Sequence, residues 1–342
     1  MSFLVIGGGK MGLSHLAILN RLLDAGQVAV CDPSRLSRFV YGRLGVRSFA
    51  SLDAALDCGT KWSGAVVASP TATHFPIACR LLERDIPCFV EKPLTLDPQK
   101  SEALIALQRE RGVVTQMGLV LRFAQPFVRL REIVRSGVLG KPLQYHARML
   151  GNVVTRPDNG SWRTDFSRGG GCLNEYGPHL LDLCRFVFGD VAALGSASFG
   201  RVHSTQADDS ADIAWRHADG TPGTLRLDWC DTTRRKSHTD FEVRFEHGRV
   251  QADTAEIHVQ PDEGLVLDET QRMALCAPAL PYPVSFYLRG EEYTLQLEAF
   301  VERVTGRRLM RTALGCGLAA DLADGCAVDR LIREIAQRGG QA

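Results

Sequence analysis

Three short stretches of this chain carry residues whose types and spacing can do chemistry. In "VIGGGKMG", Gly7, Gly9 and Gly12 stand in the G-x-G-x-x-G spacing between an apolar strand-like run and an amphipathic helical one. There the first glycine permits a tight turn, the second lets backbone N–H groups approach a pyrophosphate, and the third lets helix and strand pack closely. Lys10 and Met11 lie in the same loop, at a helix N-terminus whose partial positive charge favours phosphate. Twenty residues beyond Gly12, "VAVCDPSR" ends a second strand on Asp32, where a carboxylate accepts hydrogen bonds from an adenosine ribose. The combination points to a dinucleotide. Asp32 repels a 2′-phosphate and so favours NAD, while Arg35, whose guanidinium could pair with that phosphate, leaves NADP open. Asp32 also suits capping the helix begun by Pro33, a role compatible with the first.

The second stretch comprises two strand ends, because ligands of an open parallel sheet sit outside the carboxyl ends of its strands. "VVASPTATH" closes one strand on Ser69, Pro70 and Thr71, with His74 following, and "CFVEKP" closes the next on Glu91, Lys92 and Pro93. A proline after the lysine fixes the backbone locally and permits a cis bond, which can aim the lysine into a crevice. Taken alone, a surface Glu and Lys at a strand exit is the plainer reading. The third stretch is "CLNEYGPHLLDL", where Glu175 and His179 are four apart and so share one helix face. A core histidine satisfied by Asp182 or a carbonyl is the bland alternative. Pro178 lacks an N–H and is expected to kink this helix or mark its start. Trp162 and Arg163 in "NGSWRTDF", and Arg122 in an "RF" pair, could meet a hydroxylated ring, although Trp162 suits a core equally.

Alternating elements must position these residues. Up to about residue 120 the runs "FLVIG", "QVAVCD", "GAVVAS", "CFVEK" and "VVTQMG" read as strands of a parallel sheet with crossover helices. One helix stops near Gly26; another has Asp97 as N-cap, Pro98 in its first turn and Gly112 as its end. From about 142 to 280 most segments read as strands joined by turns, "FEVRFEHGRVQAD" turning at His247-Gly248. Helical patterns recur in "CLNEYGPHLLDLCRFVFG", "EEYTLQLEAFVERVTG" and "DGCAVDRLIREIAQ". The expected organisation is an α/β Rossmann domain over 1–121, followed by an α+β domain over 122–342 built on a largely antiparallel open sheet, for substrate binding and oligomerisation.

Composition narrows the partners. Forty basic against thirty-nine acidic residues in 342 leave a net charge of +1, no electrostatic footprint for nucleic acid or an anionic membrane. Ten cysteines, scattered singly, lack the paired spacing of zinc or redox motifs, so no metal site is expected and the thiols read as reduced. No apolar run approaches the roughly 20 residues that span a bilayer, and the opening "MSFLVIGGG" lacks a cleavable leader pattern, so a cytoplasmic location is expected.

Gly7, Gly9, Gly12, the "ASPTATH" turn and the "EKP" triplet, in that order and spacing, resemble the glucose-fructose oxidoreductase, inositol dehydrogenase and rhizopine catabolism protein family. The likeness continues through "LRFAQPFVRLREIVRSGVLGKPLQYHAR" and "GGGCLNEYGPHLLDL" and covers essentially the whole chain. It implies a Rossmann domain plus an antiparallel-sheet domain, with Lys92 reaching the nicotinamide ribose and substrate hydroxyl. It likewise implies that Glu91 contacts the cofactor sugar and that His179 transfers the proton. The family usually has aspartate where Glu175 stands, which leaves that residue between orienting His179 and holding a substrate hydroxyl. Val120 stands where many relatives carry a polar residue. The implied activity is a CH-OH dehydrogenase or reductase acting on a sugar, glycoside or cyclitol, in a homo-oligomer, dimer or tetramer. The alternatives are a reductase of nucleotide-linked keto sugars and, in another class, a non-catalytic regulator that senses the dinucleotide.

Overall fold

The computed structural model describes the chain except residues 25, 158–161, 167–168, 270, 272–274, 276–282, 310–316 and 341–342. Its contacts divide the chain into one unit of Met1–Val120 with Pro283–Asp329 and another of Leu121–Tyr282 with Arg330–Ala342.

In the first unit, β1 (Ser2–Ile6), β2 (Val28–Cys31), β3 (Ser48–Phe49), β4 (Trp62–Val67), β5 (Cys88–Val90) and β6 (Thr115–Met117) form a sheet ordered β3-β2-β1-β4-β5-β6. Every pair in it is parallel. Between the strands run α1 (Lys10–Leu22), α2 (Arg35–Arg43), α3 (Leu52–Leu56), α4 (His74–Leu82) and α5 (Pro98–Arg111). The five strands expected from sequence are present; the two-residue β3 is too short to leave an apolar signature. β1 is buried on both faces because alternate residues feed separate cores, Phe3 and Val5 packing with α1, Leu4 and Ile6 with α4 and α5. Each such side chain, fully buried, contributes about 1.5–3 kcal/mol. The caps of α5 are as the sequence suggests, Asp97 accepting from the Gln99 N–H and Gly112 at φ 64°. By contrast α1 ends at Leu22, and Gly26, at φ 81°, belongs to the following turn.

The second unit holds α6 (Gln125–Ser136), β7 (Pro142–Leu150), α7 (Cys172–Phe188), β8 (Val191–Gly200), β9 (Ser210–His217), β10 (Pro222–Asp228), β11 (His238–Phe245), β12 (Gly248–Asp253) and β13 (Ile257–Pro261). They build a sheet ordered β13-β12-β11-β7-β10-β9-β8, antiparallel except for the parallel pair β7 and β10. The hairpin between β11 and β12 turns at residues 246–247, one earlier than expected, since Gly248 already pairs with Phe245. One sheet face buries Tyr145, Ala147, Ile213, Trp215, Leu225, Leu227, Phe241 and Val243. The other lines a shallow cavity with His146, Arg148, Asp212, Thr224, Arg226 and Glu242.

Two late helices complete the chain, α8 (Glu291–Thr305) and α9 (Leu322–Arg338). A single cut between 121 and 122 places α8 in the second domain, whereas the structure groups it with the first unit. The reason lies in its apolar stripe: Leu297, Phe300 and Val301 pack with Phe3, Leu16 and Phe89, the Phe300 ring meeting those of Phe3 and Phe89 edge-on at 6.3 and 5.9 Å. Among the described residues eight cysteines are free thiols, five of them buried. Cys276 and Cys316 lie outside those residues.

Candidate functional site

The strand order reverses between β1 and β4, the switch point at which such sheets take their ligands. Gly7 leaves β1 at φ 98°, and a Cβ there would meet the Ala68 carbonyl and Ser69 nitrogen at 2.7 Å. At Gly12 a Cβ would lie 1.8 Å from the Gly7 carbonyl oxygen, whereas at Gly9 it would meet nothing within 4 Å. Two glycines are therefore required by the protein's own packing, and the third faces open space where a pyrophosphate could approach. Lys10 is exposed and Met11 half-buried in the first turn of α1. Asp32 closes the loop from the far side: Oδ2 accepts from the Gly8 N–H at 2.6 Å and Oδ1 from the Ser34 N–H at 2.8 Å. Ser34 rather than Asp32 caps α2, which begins at Arg35 rather than Pro33 and leaves Arg35 exposed as its first residue. These residues fit a dinucleotide, with Asp32 fixed at the end of β2 and still offering lone pairs to a ribose.

Further along the same sheet edge, Ser69 and Thr71 are half-buried and Pro70 exposed, with Ser69 Oγ 2.6 Å from Thr73 Oγ1. His74, expected at the cofactor, is instead buried. Its Nε2 lies 2.9 Å from the Ser69 carbonyl and its Nδ1 lies 2.9 Å from the Pro93 carbonyl, so it braces one turn against the next. Burial holds its pKa below the ordinary histidine value, against the pull of those carbonyls. Glu91 likewise spends its carboxylate within the protein: Oε1 is 2.8 Å from His15 Nε2, and Oε2 accepts from the Lys92 N–H at 3.1 Å. Burial alone would raise the Glu91 pKa, but His15 and the nearby Lys92 charge outweigh it and keep the group ionised. The Lys92-Pro93 bond is cis, and Lys92 is half-buried.

In the second unit, α7 runs unbroken through Pro178. Pro178 sits in the second turn of a helix whose first turn is supported from outside. The Asp208 carbonyl accepts from the Cys172 N–H at 2.9 Å, and Asp208 Oδ2 accepts from the Leu173 N–H at 2.7 Å. From Cys172 to Cys184 every residue is buried except Glu175 and His179, both half-buried. Four residues apart, they define one narrow polar face on an otherwise apolar helix. Arg122, expected at substrate, is buried and makes a bidentate ion pair with Asp182, Nε to Oδ2 at 2.8 Å and Nη2 to Oδ1 at 2.5 Å. The expected substrate contact is therefore not what the geometry shows: the planar guanidinium is engaged by the Asp182 carboxylate within the second unit. Trp162 is exposed rather than core, in a single 3-10 turn with the Arg163 guanidinium 4.9 Å from its ring centre. Val120 is buried.

Asp208 and Asp209 are both fully buried yet titrate in opposite directions. Burial lifts the Asp208 carboxyl from 3.8 to about 6. Burial acts the same way on Asp209, but donors from Val202, His203, Ser204 and Trp229 overcome it and bring its pKa to about 2. The Asp208 contribution to stability is thus complete below 3.8 and lost as pH rises through about 6. That of Asp209 is complete above 3.8 and lost as pH falls through about 2. Each shift corresponds to roughly 2–3 kcal/mol. Urea denaturation of Asp208→Asn should therefore lack most of the wild-type decline between about pH 4 and 6; an unchanged slope would remove Asp208 as its source.

Several positioning residues escaped the sequence reading. His15 falls three residues after Gly12 on the buried face of α1, where a lone imidazole among Leu16, Ile18 and Leu19 was the available signal. Tyr41, whose hydroxyl donates to the Gly8 carbonyl at 2.8 Å, carried none beyond helical spacing. Among the described residues there is no cluster able to hold a metal ion, and no helix long and apolar enough to cross a membrane.

A model described as an oxidoreductase family with an NAD-binding Rossmann fold matches residues 1–119, and one described as the GFO/IDH/MocA C-terminal domain matches residues 127–251. The chain belongs to the GFO/IDH/MocA oxidoreductase family. Among its relatives, an inositol 2-dehydrogenase of Arthrobacter sp. (strain FB24) is 32% identical over 42% of this chain and 43% of that protein. An inositol 2-dehydrogenase of Rhizobium meliloti (strain 1021) is 25% identical over 74% and 75%. The matched stretch thus spans less than half the length of the first of these relatives. In fold the chain is similar to a levoglucosan dehydrogenase in complex with NADH and levoglucosan, with TM-score 0.80, 20% identity, and 99% and 97% of the two chains covered. In this family the Rossmann unit takes NAD, which agrees with an acid at position 32.

Proposed function

We propose that this protein transfers hydride between NAD and a secondary hydroxyl or the corresponding ketone of a cyclitol, sugar or glycoside, with a cyclitol as first choice. NAD, when bound, supplies the hydride acceptor, and the chain's own residues orient it and manage charge and protons. Asp32 bonds the adenosine ribose and the first turn of α1 receives the pyrophosphate. Lys92 donates a hydrogen bond to the substrate oxygen and stabilises its developing negative charge. The imidazole of His179 takes the hydroxyl proton in oxidation and returns it in reduction. Glu175 holds a substrate hydroxyl or orients His179, and Trp162 with Arg163 offers a face and a cation to the ring.

The observation that carries this reading is α7, where the only unburied side chains over thirteen residues are an acid and an imidazole one turn apart. A histidine serving packing would not need that face kept open. Two relatives named inositol 2-dehydrogenase support the substrate class. The test is a screen of inositols, sugars and glycosides with NAD and NADP, followed by nicotinamide absorbance. Reduction of NAD by at least one polyol is expected, and silence across the panel in both directions would defeat the reading. We also propose a homo-oligomer, dimer or tetramer, which sedimentation would detect.

A further inference from the structure

We propose that Asp329, in the C-terminal helix, is a positioning residue for Lys92; the role rests on the reading of Lys92 given above. Asp329 is fully buried and lies 234 residues from Thr95 and 228 from Ser101, both of which it holds. Its Oδ2 accepts from the Thr95 N–H at 2.9 Å, the Leu96 N–H at 3.2 Å, Thr95 Oγ1 at 3.2 Å and Ser101 Oγ at 2.7 Å. His74 in turn meets the carbonyls of Pro93 and Leu94 at 2.9 and 3.3 Å. Backbone polar groups of four consecutive residues after Lys92 are thereby held, the carbonyls of the first two by an imidazole and the N–H groups of the next two by one carboxylate.

The segment needs such a hold. Leu96 has φ 61°, a left-handed conformation that is unfavourable for a non-glycine residue. The C-terminal helix is also docked without charge: Gly325 leaves space for Leu94, whose Cβ would be 3.1 Å from a Cβ placed there, and just before the helix the Ala320 carbonyl accepts from the Met117 N–H of β6 at 2.9 Å. Packing therefore helps to keep the helix in place, while Asp329 accepts from the backbone N–H groups of Thr95 and Leu96. In the apolar stripe of α9, formed by Cys326, Val328, Ile332 and Ile335, a carboxylate is otherwise out of place.

The test compares wild type, D329A, D329N, K92A and the double variant K92A/D329A, using NAD and the polyol selected by the screen. D329A should lower kcat about 10- to 100-fold, as expected of a misplaced catalytic group, with KM for NAD within about threefold. D329N keeps one acceptor oxygen where Oδ2 stands and should fall between D329A and wild type. In the K92A background the Asp329 substitution should add nothing, because two residues acting through one group are not additive. Amide exchange read by mass spectrometry should rise in the peptide covering residues 93–97 and stay unchanged in that covering residues 5–13. Turnover of D329A within about twofold of wild type, or a fully additive double variant, would overturn the proposal. Near wild-type turnover in K92A would instead remove the reading of Lys92, and this role with it. If D329A does not accumulate as folded protein, D329N carries the same comparisons.

Discussion

His179→Ala and Lys92→Ala each lower turnover about a hundred- to ten-thousand-fold, the range typical of removing a proton-transfer or charge-stabilising group, while NAD affinity stays within a few fold. The split between rate and affinity follows from where the residues stand. In the proposed reading the nucleotide is received at the glycine loop between β1 and α1 and at Asp32 at the end of β2, which neither substitution touches. His179 lies on a different unit from that loop, on a helix whose stability rests on buried neighbours such as Leu180, Leu181 and Leu183, so truncating it leaves the apolar packing intact. Steady-state rates with the screened polyol, and nicotinamide fluorescence titrations for affinity, decide the matter. The two variants also separate their roles. If His179 moves the proton, its loss removes a limb of the kcat pH profile; loss of Lys92 lowers the plateau and leaves that limb. Turnover near wild type in either would end the role assigned to it.

How far the sequence carried is best seen residue by residue. The glycine loop, Asp32 and the strand ends were legible because a parallel sheet imposes its own punctuation: an apolar run, a turn residue, an amphipathic run. Glu175 and His179 were legible as a pair because helical spacing is fixed by geometry. Side-chain partners were less so. His74 and Glu91 were read as cofactor contacts from their place at strand ends, yet their polar atoms turn inward to carbonyls and to His15. Arg122 was read as a substrate group, and its partner Asp182 lies 60 residues away. Pairings across such separations leave no periodic trace, because only folding decides which buried charge meets which. The placement of α8 failed to show for the same reason: chain order suggests the second domain, but an apolar stripe packs wherever a sheet face lies open. Pro178 shows a weaker limit. At the seventh residue of α7 its missing N–H forgoes the bond to the Asn174 carbonyl, yet the helix continues past it, with its N-terminus capped by Asp208 from elsewhere in the chain.

Gly9 and Gly12 look equivalent in the motif but should respond differently to one added methyl group. At Gly12 the new Cβ would overlap the Gly7 carbonyl oxygen at 1.8 Å, and the atom it strikes is backbone. Neither side can rotate away, so α1 must shift off β1, carrying with it the N–H groups meant for phosphate. Gly12→Ala should cost at least about 1–3 kcal/mol, as overpacking usually does, and should weaken NAD binding about a hundredfold or more, in line with misplacement of a binding element. Gly9 has φ −75°, which alanine adopts readily, and nothing stands near its Cβ. Gly9→Ala should therefore change stability by under about 1 kcal/mol, the scale of a glycine-to-alanine change at an N-cap, while NAD binding still falls because the methyl occupies space a pyrophosphate needs. Thermal denaturation of the two variants with and without NAD separates the effects: Gly12→Ala loses stability in both conditions, Gly9→Ala only the increment that NAD confers. If both variants kept the full increment, the open space above Gly9 would have to serve something other than a dinucleotide.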